Sequence, residues 1–61
     1  ALRHENSPIP RGFNYLTVNS LSLEARERLS FVRPETFGQA MRISGVTPAD
    51  ISALSVLLLN R

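Results

Sequence analysis

The apolar residues in the second half of the chain follow helical spacings. Ala25, Leu29 and Val32 are separated by four and three residues, which places them on one face of a helix. Ser22, just before this pattern, is a good N-cap because its hydroxyl can accept from a free backbone amide. Pro34 disfavours helical backbone at the residue before it. The pattern therefore predicts a first helix that begins after Ser22 and ends shortly before Pro34.

A second helix is predicted to begin at Thr36. Thr36 and Gln39 have the spacing of a capping box, in which each side chain bonds to the backbone amide of the other residue. Gly38 in the first turn costs about 1 kcal/mol relative to alanine. It indicates the close approach of another backbone or of a ligand, or else a tolerated glycine. Gly45 is predicted to be the C′ residue of this helix, with a positive φ.

The third helix has the clearest start signal in the sequence. Thr47 is the predicted N-cap, Pro48 is at the first helical position, and Asp50 is in the first turn. Val46 and Ile51 have the spacing of a hydrophobic staple. The apolar face is predicted to comprise Ile51, Ala53, Leu54, Leu57 and Leu58. Because further apolar residues lie on another side of the helix, we expect it to contact a surface outside this chain or a second copy.

The first 21 residues contain weak helical signals. Residues 2–5 are interpreted as the end of a helix that starts outside the chain, and residues 7–10 as extended because of two prolines. Residues 13–21 are expected to be extended or turned, with packing on the helices by Phe13, Tyr15, Leu16 and Val18. We thus predict an all-α fold, a small three-helix bundle with an irregular N-terminal arm. The division is residues 1–21 for the arm and 22–61 for a C-terminal helical domain, a fragment of a larger protein.

Composition restricts the chemistry. The chain has 61 residues, no cysteine, one histidine and a net charge of +2. This length allows one domain with a thin core and no catalytic pocket of ordinary size, and the residue types exclude a thiolate or imidazole metal cluster. The longest apolar run, Val56–Leu59, is far shorter than the ~20 residues of a spanning helix.

The seven basic residues are all arginine, which suits phosphate or carboxylate recognition but also an ordinary charged surface. Glu24 and Arg28 are expected to pair on the first helix.

The helix–turn–helix at residues 36–60 carries the main functional hypothesis. Its turn resembles the hairpin of helix-hairpin-helix nucleic-acid modules, which present backbone amides at a helix N-terminus to a phosphate. Arg42, just before the turn, would add a guanidinium group. Thr47 stands where the usual hairpin has its second glycine, and as an N-cap it would use one of those amides. Simple helix pairing without a ligand is the alternative.

A longer stretch gives a family resemblance. The sequence RPETFGQAMRISGVTPADISAL, with LRHENSPIP and LSLEARERL before it, resembles the C-terminal region of the glucose-inhibited division protein A (MnmG) family. The resemblance implies a flavoprotein parent that binds FAD, uses NADH and acts with a GTPase partner of the MnmE type to modify the wobble uridine of tRNA. It also implies a cytoplasmic parent that forms a homodimer. The flavin and nicotinamide motifs are not in this sequence, so the fragment itself is not expected to catalyse or to bind a cofactor.

By this resemblance the helical domain is expected to bind tRNA and the GTPase partner. The candidate contact residues are Arg33, Gly38, Gln39, Arg42, Ser44, Gly45 and Thr47. Two alternatives remain open. One is a purely protein–protein module whose interface is formed by Leu54, Val56, Leu57 and Leu58. The other is a free-standing helix–turn–helix that binds DNA.

Overall fold

An N-terminal arm and three α-helices make up the structure, a computed structural model that describes residues 5–59. The helices are α1 (Leu23–Val32), α2 (Phe37–Met41) and α3 (Pro48–Leu58), and a short 3-10 helix (Tyr15–Thr17) lies in the arm. The prediction of an all-α bundle of three helices with an irregular arm is confirmed. The 3-10 helix was not expected from the sequence. It begins where the Asn14 side chain accepts from the Leu16 amide.

The predicted N-caps start all three α-helices. The hydroxyl of Ser22 accepts from the amide of Ala25, and that of Thr36 from the amide of Gln39. Thr47 and Asp50 form the complete reciprocal capping box of α3, with Pro48 at its first position. The Gln39 side chain departs from the prediction, because its Oε1 accepts from the Glu35 amide, one residue before the cap.

The end of α2 also departs from the prediction. Gly45 has the expected positive φ of 96°, but α2 ends at Met41 and is capped by Arg42. The amides of Arg42 and Ile43 donate to carbonyls three residues back, a tighter 3-10 pattern that closes the helix early. Gly45 therefore lies inside the following turn rather than at the C′ position. We call residues 42–47 the α2–α3 turn.

The core draws on the arm as well as on the helices. Its buried residues are Ile9, Tyr15, Val18, Leu21, Ala25, Leu29, Phe37, Ala40 and Leu54. Three residues that were predicted to pack are substantially exposed instead. The exposed fractions are 46% for Val32, 57% for Leu16 and 51% for Leu57. A domain of this length cannot cover every apolar face, and the last turns of α1 and α3 are left at its surface. Because the core includes residues on both sides of position 21, the arm packs with the helices, and the proposed domain boundary stays a prediction.

The arm is held by backbone hydrogen bonds to the start of α2. The Ile9 amide donates to the Glu35 carbonyl at 2.9 Å, and the Phe37 amide donates to the Ser7 carbonyl at 3.0 Å. These bonds form an isolated antiparallel bridge between Pro8 and Thr36, which confirms the extended backbone predicted for this stretch. The helix predicted for residues 2–5 lies outside the described residues except for Glu5. None of the helices within residues 5–59 is long and apolar enough to cross a membrane.

Candidate functional site

The structure divides the seven predicted contact residues among three places. Arg33 follows α1, Gly38 and Gln39 lie on α2, and Arg42, Ser44, Gly45 and Thr47 lie in the α2–α3 turn. Whether they contact tRNA or a protein stays a prediction, but the hydrogen bonds show which polar groups remain available for a ligand.

Two polar groups of Thr47 in the α2–α3 turn are used internally. The Thr47 amide donates to Oδ2 of Asp50 at 2.9 Å, and the Thr47 hydroxyl donates to the same oxygen at 3.0 Å. The hairpin hypothesis needs free amides at this position, whereas here a carboxylate already accepts from the Thr47 amide. An incoming phosphate would have to displace Asp50, an anion that belongs to the fold.

Asp50 also joins α3 to α1. Its Oδ1 accepts from the Ser22 amide at 3.1 Å, and its side chain is 3% exposed. Burial by itself raises the pKa of Asp50, but the hydrogen bonds from Thr47 and Ser22 outweigh it and hold the pKa below its ordinary value. The sequence identified Asp50 as a capping residue through its nearby threonine. It contained no signal for Ser22, which is 28 positions away.

Two side chains of α1 reach across to the α2–α3 turn. The Glu24 carboxylate lies against Gly45, where an added Cβ would be 2.7 Å from Oε2. Arg28 donates from Nε to the Ser44 carbonyl at 3.2 Å. The predicted ion pair between Glu24 and Arg28 is therefore wrong, because each side chain instead packs on the turn. The Glu24 carboxylate adds a second negative group beside the amides that were expected to receive phosphate.

Gly38 and Arg42 fix the arm to α2. The Gly38 amide donates to the Glu5 carbonyl at 2.7 Å, and a Cβ at Gly38 would be 2.9 Å from that oxygen. Of the interpretations of Gly38, the close approach of another backbone is confirmed. The Arg42 guanidinium donates to the Gly38 carbonyl at 3.2 Å and forms a 2.8 Å ion pair with Glu5. Its donors are thus partly used, although 70% of the side chain is exposed.

Arg33 lies in a different environment, an open cleft between the arm and the end of α1. The cleft has a volume of about 620 Å³ and is lined by Pro8, Ile9, Pro10, Arg11, Tyr15, Arg33, Pro34 and Glu35. We call it the Arg11–Arg33 cleft. Arg33 has a left-handed backbone with φ 55° and ψ 64°, a conformation that costs a non-glycine residue about 1–2 kcal/mol. Burial raises the pKa of Tyr15, and the nearby positive charge of Arg33 partly offsets that rise.

The arginines within residues 5–59 fall into two groups. Arg26, Arg28 and Arg42 donate to backbone carbonyls, and Arg42 also pairs with Glu5. For Arg11 and Arg33, the described part of the chain provides no hydrogen bond or ion pair to the guanidinium group. Both of these line the same cleft. Sequence reasoning identified Arg33 through the family resemblance and missed Arg11, which lies in an arm that showed no functional motif.

Within residues 5–59, no group of three or more histidine, aspartate or glutamate side chains is placed to hold a metal ion. The exposed polar side chains of these residues include guanidinium donors, which recognise phosphate and carboxylate groups.

Compared with known proteins, this fold belongs to the class of C-terminal helical domains of tRNA-modifying enzymes. The family model for the tRNA modifying enzyme MnmG/GidA C-terminal helical bundle matches residues 1–61. This chain belongs to the MnmG/GidA C-terminal helical bundle family, as the sequence resemblance predicted.

Individual relatives agree with this assignment. The chain is 57% identical over 56 residues to the tRNA uridine 5-carboxymethylaminomethyl modification enzyme MnmG of Treponema denticola, and 52% identical over 54 residues to that of Pelobacter propionicus. These matches cover 92% and 88% of the chain but 9% of each relative. A crystal structure of Aquifex aeolicus GidA matches with a TM-score of 0.84 and 45% identity, over 90% of this chain and 9% of that one. The chain thus spans about a tenth of the length of these relatives.

Proposed function

We propose that this chain is the tRNA- and partner-binding C-terminal domain of an enzyme that modifies the wobble uridine of tRNA. In this proposal the rest of the protein binds FAD, uses NADH and forms a cytoplasmic homodimer. A GTPase of the MnmE type acts with it. The proposal is supported by the family membership and by the names of the relatives, which describe tRNA uridine modification.

The structural observation that carries the tRNA part is a pair of guanidinium groups that bond to no other residue of 5–59. Arg11 and Arg33 line one cleft, while the other arginines of residues 5–59 are bonded to backbone carbonyls. Arginine neutralises backbone phosphates, and such contacts dominate the affinity of proteins for nucleic acids. A domain with a net charge of +2 can therefore still present a local positive surface.

The tRNA part is tested by removing this domain from the full-length protein. Binding of tRNA is measured by fluorescence anisotropy at several salt concentrations, with and without residues 1–61. We expect the deletion to weaken binding and to flatten its dependence on salt, because fewer phosphates are neutralised. The flavin absorption spectrum serves as the control that the remaining domain is folded and holds its cofactor. Equal affinity and equal salt dependence in the two proteins would contradict a tRNA-binding role for this domain.

A second surface supports the partner-binding part. On α3, Val56 is 59% exposed and Leu57 is 51% exposed. The interface proposed from the sequence needs one correction, because Leu54 is fully buried in the core and cannot contact a partner. Large contiguous apolar patches at a protein surface mark interaction sites, and these two side chains contribute apolar surface on α3.

Capture of the purified GTPase by the full-length protein tests this second surface. Leu57→Asp is expected to abolish capture, because a carboxylate would have to be buried against the partner. Leu23→Asp provides a matched control, since Leu23 is 69% exposed on α1. Undiminished capture by the Leu57 variant would exclude this surface as the GTPase contact.

A further inference from the structure

The Arg11–Arg33 cleft has the properties of a preformed anion site. Neither guanidinium group has a hydrogen bond or ion pair to another residue of 5–59, and both line the same cleft. Pro8, Pro10 and Pro34 form part of the wall. Proline fixes φ, so these segments lose little conformational entropy when a ligand binds.

The backbone at Arg33 adds a second, independent observation. Its left-handed conformation is one that glycine adopts without penalty and that side chains rarely adopt. The Arg33 amide completes α1 by donating to the Leu29 carbonyl at 2.8 Å, and this bond fixes the residue at the rim of the cleft. Strained residues of this kind are concentrated at functional sites. Arginine is thus held at a position where the local backbone alone would favour glycine.

We infer that the Arg11–Arg33 cleft binds a phosphodiester group of the RNA backbone. This inference rests on the proposed function and assigns the contact to a specific place on the domain. It also differs from the sequence hypothesis, which placed the phosphate at the α2–α3 turn. At that turn the carboxylates of Glu24 and Asp50 already occupy the surroundings of Gly45 and Thr47.

An acidic protein segment is the competing ligand, since guanidinium groups bind carboxylates as well as phosphates. The cleft contains the Glu35 carboxylate beside Arg11 and Arg33, so it carries one excess positive charge and would contact a single anionic group. Nucleic acid is chosen over an acidic segment because the inference rests on the proposed tRNA-binding role, and the salt dependence of tRNA binding decides between the two ligands.

The test uses the full-length protein and purified tRNA. Affinity is measured over a series of salt concentrations for Arg11→Gln, Arg33→Gln and Arg28→Gln. Each cleft variant is expected to weaken binding by about three- to tenfold at low salt. Each should also reduce the slope of log K against log salt by about 0.7–0.9 for every phosphate that is no longer neutralised. Arg28→Gln removes a charge that does not line the cleft, and its amide can still donate to the Ser44 carbonyl, which keeps the fold. The slope of this control is therefore expected to stay unchanged.

Arg33→Lys separates loss of charge from loss of folding. A lysine ammonium still neutralises a phosphate, so the salt slope of this variant should equal that of the unmodified protein. Unchanged slopes for Arg11→Gln and Arg33→Gln would overturn the inference. If deletion of the whole domain nevertheless weakened tRNA binding, the proposed function would stand and only the cleft assignment would fail. Unchanged tRNA slopes with loss of GTPase capture would identify an acidic protein segment as the ligand, and would likewise overturn the inference.

Discussion

The α2–α3 turn and the Arg11–Arg33 cleft contain similar polar groups but use them differently. In the turn, the Thr47 amide donates to the Asp50 carboxylate of α3, and the Ser44 carbonyl accepts from Arg28 of α1. In the cleft, the two guanidinium groups have no such partner within residues 5–59. The turn carries the sequence motif that resembles a phosphate-binding hairpin, yet its Thr47 amide already donates to a carboxylate, whereas the guanidinium groups of the cleft donate to no other residue of 5–59. A motif therefore indicates a ligand site only if its polar groups remain free after folding.

Among the substitutions that test this comparison, Asp50→Ala is expected to change the free energy of unfolding most. The substitution removes the acceptor of the Thr47 and Ser22 amides, which would then be unsatisfied near the core. Loss of a cap and of buried hydrogen bonds together should lower the free energy of unfolding by about 3 kcal/mol. Urea unfolding followed by circular dichroism measures this. Asp50→Asn, which keeps one oxygen acceptor, should lose less, and equal stability of Asp50→Ala and the unmodified chain would contradict the structural role of Asp50.

Arg33→Gly is expected to change the free energy of unfolding by a smaller amount and in the opposite direction. Glycine adopts the left-handed backbone without the steric penalty paid by arginine. The substitution should therefore raise the free energy of unfolding by about 1 kcal/mol. Thermal unfolding provides the measurement, with Arg28→Gly, in the helical interior of α1, as a control that should be destabilised. If both glycine variants lost stability, the backbone at Arg33 would not be strained.

Lowering the pH is expected to change the free energy of unfolding least, because a protonated Asp50 keeps both of its oxygens in place. The pKa of Asp50 is lowered in the folded state, so its contribution is fully present above the ordinary aspartate pKa of about 4. Below that pH the unfolded chain gains a proton before the folded chain does. Stability should thus fall as the pH drops from about 4 through the folded pKa. A series of thermal unfolding curves tests this, and Asp50→Asn should show a weaker dependence on pH than the unmodified chain.

The helix starts could be predicted because each depends on neighbouring residues. Ser22, Thr36 and Thr47 cap the three helices by bonding to amides three positions ahead. The end of α2 could not be placed in the same way. Its last turn tightens to a 3-10 pattern, and Gly45, which has the positive φ expected of a C′ residue, lies farther along. Single glycine signals thus locate a turn without locating the last helical residue.

The candidate site was harder to predict than the helices. Family resemblance selected Arg33, but it selected Gly38, Gln39 and Thr47 as well, whose bonds are made within the domain. Arg11 could not be found, because an isolated arginine after a proline has no distinctive pattern. Its importance comes from the position of the arm, and that position depends on backbone bonds such as the one between Ile9 and Glu35.

Local patterns in the chain were sufficient for the three helices, their caps, the extended start of the arm and the family, because capping and proline effects act over a few residues. Which polar groups stay free depended on the packing of the whole domain. That packing joined Asp50 to Ser22, placed Glu24 on Gly45 and left Arg11 beside Arg33. These residues are far apart in sequence. Their hydrogen bonds and charges depend on how the arm and helices meet, and no local pattern specifies that arrangement.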